Sequence, residues 1–240
     1  ARAGQFDQQL VVLEKALRRS PGDDDLAEAI LGANLIQGRY AEAERLVATH
    51  RFAPRHRVYT LRDKYRLMRY GMGAAAFREG KHAEALKLFE SAMKPPVSLG
   101  MDDFQNQSTP EMEYYVGRTL EALGRKSEAE QAYQRAVSGV SHLSGDRDSW
   151  SSENFAVVPA LEKLGRGAEA AKLLPRFEAF ARTNLGAKTA RRRAEARYLL
   201  ALVEKHAGRP ADARKLLEQA LADEPDFVAA RLALRGEVLD

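Results

Sequence analysis

Six glycines, Gly4, Gly38, Gly80, Gly124, Gly165 and Gly208, divide the chain at intervals of 34, 42, 44, 41 and 43 residues. The same small-residue spacing returns behind them: Ala85 and Ala92 after Gly80, Ala129 and Ala136 after Gly124, Ala213 and Ala220 after Gly208. Gly38 and Gly165 are followed by Ala43 and Ala170, and Gly4 by Phe6 and Ala16. A period of this length is one helical hairpin, which cannot bury its apolar face alone and therefore stacks on its neighbours. Each glycine is expected to end one helix in the left-handed conformation and let the chain reverse tightly. The small alanines let paired helices approach. The expected fold class is all-α, a solenoid of antiparallel helix pairs.

Apolar periodicity supports this. Leu86, Phe89, Ala92 and Met93 fall on one helical face, as do Ala129, Ala132, Tyr133, Ala136 and Val137, and Ala213, Leu216, Leu217, Ala220 and Leu221. About twelve helices are predicted, over 7–19, 25–37, 40–50, 57–79, 82–93, 110–123, 126–138, 152–164, 167–182, 188–207, 210–222 and 227–238. Two long connections interrupt the array, near 95–109 and 138–151. Asp102-Asp103 and Asn106 lie in the first; Gly139, Gly145 to Asp148 and the only tryptophan, Trp150, lie in the second. Both read as insertions at one edge of the array. Pro159 removes a backbone donor and should kink its helix or shift its start. The chain reads as a single helical repeat domain over 1–240, and its start at Ala1 without Met reads as a piece of a longer protein.

Composition narrows the function. No stretch approaches the roughly 18 apolar residues of a membrane span. With no cysteine there is no disulfide, thiolate metal site or thiol nucleophile, which suits a cytoplasmic protein better than a periplasmic one. The 38 basic and 34 acidic residues are interspersed. Only Arg191-Arg192-Arg193, with Lys188 and Arg197, forms a concentrated basic run, read as an exposed helix start rather than a nucleic-acid site. The five histidines are scattered, without the His-x-x-x-His spacing of a metal pair. His50 and His56 read as turn residues, His82 as a packing residue, and Asp23-Asp24-Asp25 as helix-capping carboxylates. No catalytic residue, cofactor or metal is assigned, and no enzyme is expected.

At this point the residues resemble the tetratricopeptide repeat family. The resemblance covers nearly the whole chain, best at Phe6, Leu10, Ala16, Leu17 and Pro21, and at Tyr198, Gly208, Ala213, Ala220, Leu221 and Pro225. It implies a right-handed superhelix whose concave groove, lined by the first helix of each pair, holds a protein or peptide. More narrowly, Phe52-Ala53-Pro54, Pro96-Val97-Ser98-Leu99-Gly100 and Tyr114-Tyr115-Val116-Gly117-Arg118 are similar to the repeat tail of large bacterial proteins carrying a β-rich, carbohydrate-enzyme-like domain of unknown function. That tail has a Trp- and Gly-rich turn where Arg55-His56-Arg57-Val58-Tyr59 stands here.

Ten residues before successive glycines stand Glu28, Tyr70, Tyr114, Phe155 and Tyr198, so all but the first are aromatic. Equivalent positions on consecutive helices stack along one face, and aromatic side chains there can grip an extended peptide or pack between hairpins. The candidate groove residues are Tyr70, Phe77, Tyr114, Tyr115, Arg118, Phe155, Glu162 and Tyr198. The family's two-carboxylate clamp of Lys, Asn and Arg has no counterpart at Glu28, Gly32, Tyr70, Gly71, Ala74, Tyr114, Tyr115 and Arg118. The expected function is a non-catalytic protein- or peptide-binding scaffold. The alternative is a structural or oligomerisation appendage of a larger, carbohydrate-active bacterial protein, packing on a neighbouring domain of the same parent chain or forming a dimer.

Overall fold

A computed structural model describes residues 2–54, 56–100, 108–138 and 150–236. The Asp102–Asn106 and Gly139–Asp148 stretches of the two long connections lie outside the described residues. Among those described, every regular element is helical. The helices are α1 (Arg2–Arg19), α2 (Asp24–Gln37), α3 (Tyr40–Thr49), α4 (Val58–Arg78), α5 (His82–Ser91), α6 (Pro110–Ala122) and α7 (Lys126–Ser138), with a short 3-10 turn at Val97–Leu99. They continue with α8 (Ser152–Phe155), α9 (Val157–Lys163), α10 (Gly167–Asn184), α11 (Ala190–His206), α12 (Pro210–Asp223) and α13 (Val228–Leu234).

Five rungs of the glycine ladder perform as their spacing implies: Gly38, Gly80, Gly124, Gly165 and Gly208 have φ between 72° and 75°. At Gly38 the closure is complete, because its N–H reaches Leu35 O at 3.1 Å and the Arg39 N–H reaches Asn34 O at 2.9 Å. Gly4 departs from the pattern. It lies inside α1, which runs unbroken from Arg2. α1 packs on α2. The predicted helix over 152–164 is two segments, α8 and α9, meeting at Ala156. Pro159 cannot donate to the carbonyl four residues back, at Phe155, and the break falls beside that carbonyl.

Packing is sequential, α4 on α5, α5 on α6, α6 on α7, α10 on α11 and α11 on α12. Missing side chains permit the closest approaches: a Cβ at Gly117 would lie 2.5 Å from the Tyr133 ring. Phe52-Ala53-Pro54 and Pro96 to Gly100, two of the segments that carry the narrower resemblance, lie against each other. The Phe52 N–H donates to Ser98 O at 2.8 Å, and Ser98 Oγ donates to Val47 O at 2.7 Å.

The last helix returns to the first pairs. Val228 and Leu232 of α13 join Leu31, Leu35, Leu61 and Met68 in one buried cluster. Arg235 donates to Ile36 O at 2.8 Å and to Leu35 O and Tyr40 Oη at 3.2 Å. A guanidinium on the last carbonyls of α2 meets both their unsatisfied acceptors and the negative end of the helix dipole. This contact brings together residues about 200 positions apart and turns the concave face into an interior.

Candidate ligand-binding cavity

The aromatic ladder stands on α4, α6, α8 and α11 in the predicted register, but its rings are packed rather than presented as an open row. Tyr70, Tyr114, Phe155 and Tyr198 are each 4–5% exposed. Tyr70 stands edge-on to Tyr115 at 5.2 Å, Phe155 edge-on to Phe177 at 5.4 Å, and Tyr198 edge-on to Phe227 at 5.5 Å. Tyr114 leans on Tyr133 at 6.0 Å. Such edge-to-face pairs favour a fixed ring geometry over an adaptable surface.

The inner edges of these rings nevertheless line two cavities. One, of about 700 Å³, is bounded by Tyr114, Tyr115, Phe155, Glu162 and His206 among others. The other, of about 490 Å³, is bounded by Tyr70, Tyr198, Arg66, Glu153 and Trp150 among others. Glu111 and Ser152 belong to both walls and mark where the two meet. Six of the eight predicted residues are thus gathered: Tyr70, Tyr114, Tyr115, Phe155, Glu162 and Tyr198. Phe77 and Arg118 stand outside both walls. The Phe77 ring packs on His82 at 4.8 Å, and Arg118 donates to Tyr114 Oη at 3.1 Å.

Glu111 is the residue that sequence reasoning missed. It sits in the first turn of α6, where an acid is ordinarily explained by the helix dipole. Here it points inward and accepts from Tyr115 Oη at 3.1 Å. Among the described residues it forms no ion pair. Protein surrounds it, and the surface it does expose faces the cavity. Burial, reinforced by repulsion from Glu153, pushes its carboxyl up to about 8 against the opposing pull of Tyr115 and Arg66. Burial likewise raises Glu153, with Arg66 opposing; Arg66 Nη1 is 4.0 Å from Glu153. Tyr70, Tyr115 and Tyr198 are all raised by burial and then by the Glu111 charge. The available signal was the i, i+4 spacing of Glu111 and Tyr115, one position out of step with the ladder.

Several other charges are compensated. Glu162 pairs with His206 at 3.2 Å, and Lys163 with Glu121 at 2.7 Å. Three members of the basic run are paired, Arg191 with Glu195 at 2.8 Å and Arg193 and Arg197 with Asp223 at 2.9 and 2.6 Å, while Arg192 lines the smaller cavity. Glu28, the exception in the ladder, lies on α2 beyond the cavity walls and is 2% exposed. Its Oε1 accepts from Lys64 Nζ at 2.7 Å. Of the three capping aspartates, Asp23 caps α2 through the Leu26 N–H at 3.0 Å. Asp24 instead holds His50 Nε2 at 2.8 Å and the Ala53 N–H at 2.9 Å. His50 and His56 are therefore inside a charged cluster, not on an open turn.

Residues 194–234 and 116–138, which fall on α11–α13 and α6–α7, match tetratricopeptide repeat models. No curated protein matches the chain. Among solved structures, it is similar to YrrB, described as a TPR protein with an unusual peptide-binding site, at 21% identity over 93% of this chain and 97% of that one, with TM-score 0.32. It is also similar to a chain of the APC/C hetero-tetramer Cut9-Hcn1, at 17% identity over 98% of this chain and TM-score 0.25. This chain spans 53% of that second structure. Among the described residues, no helix is long and apolar enough to cross a membrane.

Proposed function

We propose that this chain is a non-catalytic scaffold that holds a protein or peptide segment in its interior cavity, with a basic side chain of that segment set against Glu111. The observation that carries the reading is a carboxyl without an ion pair among the described residues, at the junction of two cavities whose walls include Tyr70, Tyr115 and Tyr198. An ammonium or guanidinium gives Glu111 the close ion pair it lacks among the described residues and favours its ionised form, and the aromatic wall packs on the alkyl stem. The preformed helical walls keep the ordering cost of binding low. The occupant comes from a separate protein or from a neighbouring domain of the same parent chain; both present the same chemistry to the cavity.

The test is a hexapeptide library with one position fixed in turn as Lys, Arg, norleucine or Glu, screened on the full chain. Lys and Arg pools are expected to be retained over norleucine and Glu, and Glu111→Gln to erase that preference. Ser152→Trp, which fills the junction, should remove binding altogether while helicity by circular dichroism is kept. Retained peptides without a basic preference, or binding indifferent to both substitutions, would overturn the reading.

A further inference from the structure

Far from the cavity, the start of α2 and the turn before α4 bring three metal-binding side chains to one point. Asp25 and Glu28 stand three residues apart on α2, on one helix face. His56 comes from the turn. One ligand atom from each lies within 4.8 Å of the others. His56 Nε2 is 3.3 Å from Glu28 Oε2 and 4.0 Å from Asp25 Oδ1. A tetrahedral ion with bonds of about 2.0–2.1 Å holds its ligand atoms roughly 3.4 Å apart. The His56–Glu28 edge already has that length. Asp25 needs a small inward rotation, and its side chain, 68% exposed, has room for it.

One facing pair of buried atoms points to an ion rather than to a plain cluster of charges. Glu28 is 2% exposed, yet its Oε2 has no hydrogen-bond partner, and neither has the buried Nε2 of His56. Buried polar atoms left in this way cost free energy, and these two face each other. The remaining atoms are arranged as supporting contacts. Oε1 of Glu28 is held by Lys64, which leaves Oε2 for a second cation. Nδ1 of His56 faces Asp24 Oδ2 at 4.0 Å, and Asp24 is itself anchored by His50 and the Ala53 N–H.

From these contacts we infer that Asp25, Glu28 and His56 form a binding site for a zinc-class divalent cation, with water in the fourth position. One imidazole and two carboxylates suit a borderline ion such as Zn²⁺ better than Ca²⁺, which asks for six to eight oxygens. The local competitor is Arg57, whose Nη2 lies 3.2 Å from Asp25 and whose Nε lies 3.8 Å from Glu28. Its side chain is 62% exposed and can swing outward as the metal enters. The ion would tie the turn preceding α4 to the N-terminal end of α2, beside the apolar cluster that already joins Ala27 and Leu31 to Phe52 and Leu61.

Titration of the full chain with ZnCl₂ by calorimetry, and with CoCl₂ by visible absorption, tests the site. One equivalent of Zn²⁺ should bind, and Co²⁺ should give the intense bands of a four-coordinate site. His56→Gln and Asp25→Asn should each weaken binding at least about tenfold. His206→Gln, at a histidine paired elsewhere, should leave it unchanged. The melting temperature should rise with Zn²⁺ and return with a chelator in the parent chain but not in His56→Gln. Absence of binding would overturn the inference. So would binding that survives both substitutions, or a melting temperature that follows pH through the histidine range and ignores zinc, the mark of a simple His56–Glu28 ion pair.

Discussion

Two glutamates on inward-facing helices, Glu28 and Glu111, meet burial in opposite ways. Glu28 is enclosed by Lys64, Arg57 and His56, and one of its oxygens is in a 2.7 Å ion pair. Glu111 has a tyrosine hydroxyl at 3.1 Å and a second carboxylate, Glu153, as its nearest electrostatic company. A buried charge persists only where partners repay its lost hydration; elsewhere the group takes up a proton. The first environment therefore surrounds its carboxylate with cationic side chains and ties α2 to α4, although Oε2 still lacks a hydrogen bond. The second is left unbalanced inside a cavity, which is the arrangement expected of a group whose partner arrives from outside.

The comparison breaks most visibly at Lys64. Lys64→Met leaves the Glu28 charge with no close ammonium, and unfolding free energy from urea titration should fall by about 3 kcal/mol. An unchanged stability would mean that Glu28 is no better compensated than Glu111. The opposite sign is expected at Glu111. Its folded carboxyl titrates near 8 and its ordinary value is 4.5, so between those pH values the native state holds a proton that the unfolded chain has shed. Stability should therefore decline as pH rises from about 4.5 to 8. Glu111→Gln removes that decline: the variant should match the parent at pH 4 and exceed it at pH 9 by about 2 kcal/mol. This is less than the full displacement implies at ~1.4 kcal/mol per pH unit, because the carboxyl faces a cavity that admits water. The smallest effect belongs to the closing contact near Glu28. Arg235→Ala should lower stability by about 1.5 kcal/mol, with the loss confined to α2, α3 and α13 by hydrogen exchange and the Glu111 titration unmoved. A shift in that titration would show the two regions to be coupled through α13.

Much of the scaffold was legible because it is local. A glycine that must take positive φ, followed by alanines at helical spacing, announces a helix end and a close helix pair, and five of the six rungs do so. Gly4 carried the same spacing without the same role, since its neighbourhood continues as helix. The ladder counted back from the glycines lies on the correct helices, but whether its rings stand open or pack edge-to-face depends on partners such as Phe177 and Phe227 from other hairpins. Asp24 and Asp25 read as capping residues because a first-turn acid is always explicable that way. Their link to His50, Ala53 and His56 arises only when residues about 30 positions apart meet.

The sequence by itself determined the all-helical pairing, the points of chain reversal and the register of the inward aromatics, because each follows from contacts within one turn or one hairpin. Tertiary structure decided the charges. Whether a glutamate is paired, protonated or poised for a cation depends on which distant side chains share its low-dielectric surroundings. The return of α13 to α2 and α4 decided that these surroundings are an interior at all. Periodicity does not encode that return; it depends on Arg235 reaching carbonyls at the far end of the chain.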